Sequence, residues 1–307
     1  MSRIAVVGSI NTDFVVRSER FPFPGETLIG SSFAVYGGGK GANQAIAAAR
    51  LGATVEFFGA IGRDPQSVER VQQLAADGVG TDQIIAFDGY GGIAFIQVEA
   101  SSGQNSITLV PGANMLLTPE CVLPALSTWC QTGDLICCQL EVPLDTVEQS
   151  FGLKERFGLT TMLNAAPFDA RVSRFLPLVD YLIVNEIEAG QILSEGPVSL
   201  DAAAVAGERL LALGIGAAVL VTLGAHGAVL VDRIGALSIP APTVPVVDTT
   251  GAGDAFVGAF CAEVAAGNSP RDAARSAVRA GSLAVQKAGA QPSLPTAAEL
   301  AAFFSDR

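Results

Sequence analysis

Val247-Asp248-Thr249-Thr250-Gly251-Ala252-Gly253-Asp254-Ala255-Phe256 sets small residues, a carboxylate and an apolar helical run in direct succession. Gly251 and Gly253 permit backbone angles closed to other residues, and the unpaired N–H groups of a helix start attract phosphate oxygens. Asp254 would then stand beside a bound phosphate. A carboxylate repels that anion, and taking the proton from an incoming hydroxyl is a reason for it to be there. The same stretch also suits an acidic N-cap ahead of a core helix.

Other polar residues fall where an α/β sheet binds ligands, just beyond the carboxyl ends of strands. Asn11 and Asp13 leave the apolar segment Ile4–Gly8 in what reads as a polar turn, suited to holding hydroxyls or simply to making the turn. Glu141, Asn164, Asn185 and Thr222-Leu223-Gly224 follow later apolar segments in the same way. Tyr36-Gly37-Gly38-Gly39-Lys40-Gly41-Ala42-Asn43-Gln44 packs glycines around a lysine before a helical run, which implies close backbone approach to a ligand. It lacks the terminal Lys-Ser/Thr of a P-loop. Asp248 adds a second acid close to the Gly251–Gly253 turn, and either a hard cation or local N–H groups would neutralise it. His226 is the sole histidine, so a histidine-based triad or multi-histidine metal site has little to build on.

The elements that must position these groups follow from periodicity. Phe14–Val16 with Thr27–Tyr36, and Ile93–Glu99 with Ser106–Val110, read as two hairpins, the second turning at Ala100–Asn105 with Gly103. Neither fits a βαβ rhythm, and together they suggest one small appended sheet acting as a lid. Strands are expected at Val55–Ala60, Leu135–Cys138, Thr160–Leu163, Leu182–Val184, Ala217–Val221 and Ala228–Val231. Helices should begin at Ser67, Pro119, Pro143, Glu186, Ser199 as cap, Asp254, Pro270 and Thr296. The alternation predicts an α/β fold, a mostly parallel central sheet with helices on both faces. One domain over residues 1–307 is expected, with the lid inserted from about 14–36 and 93–110.

Composition narrows the function classes. The 307 residues suffice for a large core, and a net charge of −12 opposes non-specific nucleic-acid binding. No apolar run reaches the roughly 18 residues of a membrane span. The start of the chain lacks the pattern of a signal peptide, so a cytoplasmic location is expected. Cys121, Cys130, Cys137, Cys138 and Cys261 form no CxxC pair, and their odd number argues against a disulfide framework. A G-x-G-x-x-G after the first strand is missing, which counts against a dinucleotide-binding dehydrogenase.

Gly8-Ser9-Ile10-Asn11-Thr12-Asp13, Gly38-Gly39-Lys40-Gly41-Ala42-Asn43-Gln44, Gln139-Leu140-Glu141, Asn185-Glu186-Ile187-Glu188, Asp248–Asp254 and Gly289-Ala290-Gln291-Pro292-Ser293 occur in this order along the whole chain. In this order and spacing the chain resembles the ribokinase-like carbohydrate kinase family. The resemblance implies ATP-dependent phosphorylation of D-ribose at its 5-hydroxyl, with deoxyribose, another pentose or a nucleoside as alternative substrates and a non-catalytic sugar-binding regulator as a further alternative. It implies that Asn11, Asp13, Gly39, Lys40, Asn43 and Glu141 hold the sugar, that Asp254 is the base, and that Gly251, Ala252 and Gly253 form the anion hole. Asn185, Thr222, Gly224, Ala225, His226 and Gly227, together with Gly253, would line the nucleotide. Glu188 would organise Mg²⁺ through water, and Asp248, Thr250, Ala284, Lys287, Gly289 and Ser293 would hold a monovalent cation, K⁺ in the first instance. A homodimer clasped through the lid is also implied. Val278 and Arg279 depart from the polar residue expected in the Pro270–Gln286 helix, so that helix is left out of the nucleotide contacts.

Overall fold

The structure, a computed structural model, describes residues 2–102 and 104–305, apart from the side chains of 304 and 305. Gly103, expected in the turn of the second hairpin, lies outside the described residues. Strand β1 (Ile4–Val7) leads to β2 (Asn11–Ser18), which turns back as β3 (Ser32–Gly38) and runs into helix α1 (Lys40–Arg50). Next come β4 (Val55–Gly62), α2 (Pro65–Ala76), β5 (Ile84–Phe87) and the hairpin β6 (Gly92–Glu99) and β7 (Asn105–Val110). Alternation then sets in with α3 (Pro119–Trp129), β8 (Leu135–Cys138), α4 (Leu144–Phe151), α5 (Lys154–Phe157) and β9 (Thr160–Asn164). It continues through β10 (Tyr181–Asn185), α6 (Glu186–Ile192), α7 (Ala203–Leu211), β11 (Ala218–Thr222), β12 (Ala228–Asp232) and β13 (Gly235–Ile239). Helices α8 (Ala252–Ala265), α9 (Pro270–Ala284), α10 (Ala290–Ser293) and α11 (Ala297–Ser305) follow.

Nine strands form the central sheet in the order β13-β12-β11-β10-β9-β8-β1-β4-β5, every neighbouring pair parallel except β11–β12 and β12–β13 at one edge, where β12 runs against the rest. Parallel strands are covered on both faces, and β1 and β8 are accordingly buried at every residue. Side chains alternate across the sheet: Ile4 and Val6 join a core with Phe57, Ile46 and Phe260, while Ala5 and Val7 join another with Phe58, Leu126 and Phe151. Helices therefore pack on both faces.

The two hairpins form one four-stranded sheet, β3-β2-β6-β7, because β2 and β6 pair in parallel with Asn11 opposite Gly92 and Asp13 opposite Ala94. Asn11 and Asp13 are thus strand residues, not the turn expected: ladders to β3 and β6 on either side outweigh the low β-propensity of Asn and Asp. Thr27–Ile29 stay outside β3, which begins at Ser32. The glycine-rich run, expected as a loop over Gly37–Asn43, contracts to Gly39, at φ 90°, between β3 and α1. Ser199 is not the cap of α7: its carbonyl accepts from Ala202 N in a preceding turn, and Ala202 occupies the cap position. Strands β5 and β13 were not foreseen. No helix among the described residues is long and apolar enough to cross a membrane.

Candidate active site

Helices α1 and α8 lie against each other with unusually close backbones. A methyl built on Gly258 would stand 2.4 Å from Ala47 Cβ and 2.7 Å from the Gln44 carbonyl oxygen, so only glycine lets α8 settle on this part of α1. That approach brings the N-terminal turns of the two helices together. Asp254, in the first turn of α8, is 8% exposed. Its Oδ2 accepts a hydrogen bond from Asn43 Nδ2 at 2.8 Å, and its Oδ1 accepts from Gln44 Nε2 at 3.0 Å. Burial pushes the Asp254 carboxyl up; the Lys40 charge and these two amides pull against it, and Glu141 adds to the rise.

Glu141, in the connection after β8, reaches across to the start of α1. Its Oε2 accepts from Ser9 Oγ at 2.5 Å and from the Lys40 backbone N–H at 3.1 Å, supplying the acceptor that the cap residue Gly39 lacks. Lys40 itself is drawn down by burial but held above its ordinary value by Asp254, Glu141 and Glu188, so it stays charged among acids. Asn11 is buried and oriented: its Oδ1 accepts from Asn114 Nδ2 at 2.8 Å, while Asn114 also exchanges hydrogen bonds with both backbone groups of Ile10. The Asn11 amide N–H groups are thereby turned elsewhere as donors. Asp13 is pushed up to about 7, first by burial and then by Glu141 and Asp254, with Arg70 opposing.

Gly251 caps α8 in the left-handed region at φ 81°, and a methyl there would also meet Ala290 Cα at 3.0 Å. The amide of Ala252 turns back to the Thr249 carbonyl at 3.3 Å, whereas a methyl built on Gly253 meets no atom within 4 Å. Asp248 is well partnered: Oδ1 accepts from Thr250 N at 2.9 Å and Thr250 Oγ1 at 2.7 Å, and Oδ2 from Gly289 N at 2.9 Å. Burial works to raise this carboxyl, and the Gly289 and Thr250 donors outweigh it and hold it low. Asp248 therefore closes its own turn through local donors and ties that turn to the Gly289 segment. Ser293 donates to the Ala290 carbonyl at 2.7 Å and keeps its oxygen lone pairs. The Lys287 ammonium instead pairs with Glu299 at 2.5 Å, leaving only its backbone for any ion.

On the far side of the sheet edge, Asn185 and Thr222 stand opposite each other at the ends of β10 and β11. Asn185 Oδ1 accepts from the Ile187 and Glu188 amides at 2.9 and 2.8 Å, and Glu188 Oε2 accepts from Asn185 N at 2.9 Å, a reciprocal capping box for α6. Burial raises the Glu188 carboxyl, with the Asn185 amide and Lys40 opposing. Thr222 Oγ1 donates to the Val184 carbonyl at 3.3 Å, and Gly224, Ala225 and His226 make a single turn closed by Gly227, at φ 92°, before β12. The described residues hold no cluster of three or more His, Cys, Asp or Glu side chains fit for a metal ion.

Sequence reasoning missed the groups behind these: Ser9 under Glu141, Asn114 under Asn11, and Gln44 and Gln139 behind Asp254. The available signal was a glutamine inside the alanine-rich run of α1 and another straight after the apolar strand β8.

A glycine-capped helix start with a buried acid in its first turn, an ammonium beside it and polar residues along the carboxyl edge of a parallel sheet suit transfer of a phosphoryl group to a hydroxyl. The chain matches the pfkB family carbohydrate kinases over residues 1–297 and belongs to that family. Within it, the chain is 35% identical to the ribokinase of Schizosaccharomyces pombe, over 99% of this chain and 98% of the relative. The solved ribokinase of Thermotoga maritima superposes with a TM-score of 0.89 at 32% identity, covering 99% and 100% of the two chains. Arabidopsis thaliana ribokinase, solved with ribose and ATP, gives 0.85 at 30% identity over 99% of each chain.

Proposed function

We propose that this chain transfers the γ-phosphoryl group of ATP to the 5-hydroxyl of D-ribose, giving ribose 5-phosphate and ADP. The observation that carries it is Asp254, buried in the first turn of α8 beside the Gly251 cap and held at both oxygens by Asn43 and Gln44. In this reading the sugar hydroxyl passes its proton to Asp254 as its oxygen attacks the γ-phosphorus. Lys40 and the amides of Gly251, Ala252 and Gly253 take up the charge on the transferring group. Asn11, Asp13, Gly39, Lys40, Asn43 and Glu141 hold the sugar. The Asn43 Oδ1 is buried with no partner among the described residues, which suits a donating sugar hydroxyl. Asn185, Thr222 and Gly224–Gly227 line the nucleotide.

Oxygens of Asp248, Thr250, Ala284, Lys287 (through its backbone), Gly289 and Ser293 would hold a hard monovalent cation such as K⁺, a reading supported by the hydrogen bond that ties Asp248 to Gly289. Glu188 spends Oε2 on its cap and has a second oxygen for the water shell of Mg²⁺. When bound, these cations supply positive charge near the phosphates. The two hairpins, from about 14–36 and 93–110, act as a lid over the sugar. Alternation puts Asn11 and Asp13 on one face of the small sheet and Phe14, Val16, Phe33, Val35 and Phe95 on the other. Phe33 and Phe95 are 63% and 53% exposed and stack against Phe14, a patch that a second copy of the chain would cover in a homodimer. A cytoplasmic location is consistent with this reaction.

A coupled assay across D-ribose, 2-deoxyribose, other pentoses and nucleosides tests the proposal. D-Ribose should give the highest kcat/KM, and a higher value for 2-deoxyribose or a nucleoside would reassign the substrate.

A further inference from the structure

Behind the Asp254 carboxylate runs a chain of side-chain amides that meets the proposed site only at Asp254 itself. Gln44 is 1% exposed, and its Nε2 donates to Asp254 Oδ1 and to Asn164 Oδ1, each at 3.0 Å. Its Oε1 accepts from Gln139 Nε2 at 2.6 Å, and Gln139 is fully buried. Asn164 in turn donates to the Ile183 carbonyl at 3.2 Å. The charged end sets the direction of the whole chain. A carboxylate only accepts, so Gln44 must present its NH₂ to Asp254, and Gln139 must then present its NH₂ to Gln44. The links come from α1, from the ends of β8 and β9, and from α8, and each amide is enclosed by sheet and helix.

We infer that Gln44 is a positioning residue: the last link of a buried amide chain that fixes which way the Asp254 carboxylate faces. The inference rests on Asp254 being the base. With Oδ1 pinned by Gln44, the carboxylate cannot rotate about its Cβ–Cγ bond, and Oδ2 is kept on the side of Asn43. Gln139 acts one step further back by holding the Gln44 amide in its donating orientation.

The test compares Gln44→Met, Gln44→Glu and Gln139→Met with the parent enzyme and with Asp254→Asn, reading kcat, both KM values and the pH profile of kcat. Gln44→Met keeps length but removes the donor. It should lower kcat about tenfold or more at neutral pH, leave the KM values for ribose and ATP within about threefold, and move the acidic limb of kcat upward by roughly one pH unit. Gln44→Glu is isosteric but sets a second carboxylate against the first, and it should lower kcat further with a larger upward shift. Gln139→Met should shift the limb the same way by less, and it decides the matter with Gln44→Glu if Gln44→Met does not fold. An unmoved limb in the folded Gln44 variants overturns the inference, as does a loss confined to both KM values and thermal stability. If Asp254→Asn loses activity while the Gln44 variants keep it, only the positioning role fails. If Asp254→Asn keeps parental kcat, the base assignment fails with it.

Discussion

Asp13→Asn separates what the sugar site needs from what the fold tolerates. Asp13 sits at about 7 against an ordinary value of 3.8, because burial and the neighbouring Glu141 and Asp254 disfavour its charge. A carboxyl whose folded value lies above its unfolded value binds more protons in the native state between those two values. Its contribution to stability is therefore present below about pH 4 and is lost as pH rises to about 7. Of that loss, about 2–3 kcal/mol falls between pH 5 and pH 8, at 1.36 kcal/mol per unit. Asparagine does not titrate, so Asp13→Asn should gain about that much stability relative to the parent on going from pH 5 to pH 8. The same change removes a carboxylate from the proposed sugar site, and loss of a charged hydrogen bond of roughly 1.5–3 kcal/mol should raise the ribose KM about tenfold or more at pH 8, where Asp13 is ionised. Urea unfolding of the ligand-free proteins at both pH values reads the first effect, and a coupled assay the second. A stability difference that is equal at pH 5 and pH 8 would mean that Asp13 titrates alike in the folded and unfolded chain.

Gly258→Ala drives a methyl to within 2.4 Å of Ala47 and should cost roughly 1–3 kcal/mol in unfolding experiments, with a fall in kcat as α8 lifts Asp254 away from Asn43 and Gln44. Unchanged turnover would mean that the helix contact does not set the site. At constant ionic strength and Mg²⁺, replacing Na⁺ by K⁺ should raise turnover several-fold, and Asp248→Asn should blunt that response; equal rates in Na⁺, K⁺ and Cs⁺ would remove the cation. Phe95→Asp on the exposed face of the small sheet should shift a dimer to monomer in sedimentation velocity, and an unaltered mass would send the dimer contact elsewhere.

Much of this fold is legible because parallel strands buried on both faces leave short apolar runs between helical periods, and β8 falls at Leu135–Cys138 as expected. The edge strands β5 and β13 are not legible, being only four and five residues long and partly exposed. Asn11 and Asp13 read as a turn because pairing with β3 and β6 is set by residues distant in sequence. The acids and glycines of the site announce themselves by type and spacing. Their supports do not: Gln44 meets Asp254 across 210 residues and Gln139 across 95, and Asp248 meets Gly289 across 41, contacts that exist only once the sheet has assembled.

In the proposed reaction Asp254 takes the proton from the sugar hydroxyl during phosphoryl transfer from ATP. A rapid-quench single-turnover measurement with γ-labelled ATP and D-ribose, comparing the parent with Asp254→Asn, tests it most directly. The parent should form a labelled sugar phosphate and the variant should do so about 10²–10⁴ times more slowly, with ATP and ribose still bound at near-parental affinity. Transfer by a folded Asp254→Asn at close to the parental rate would contradict it.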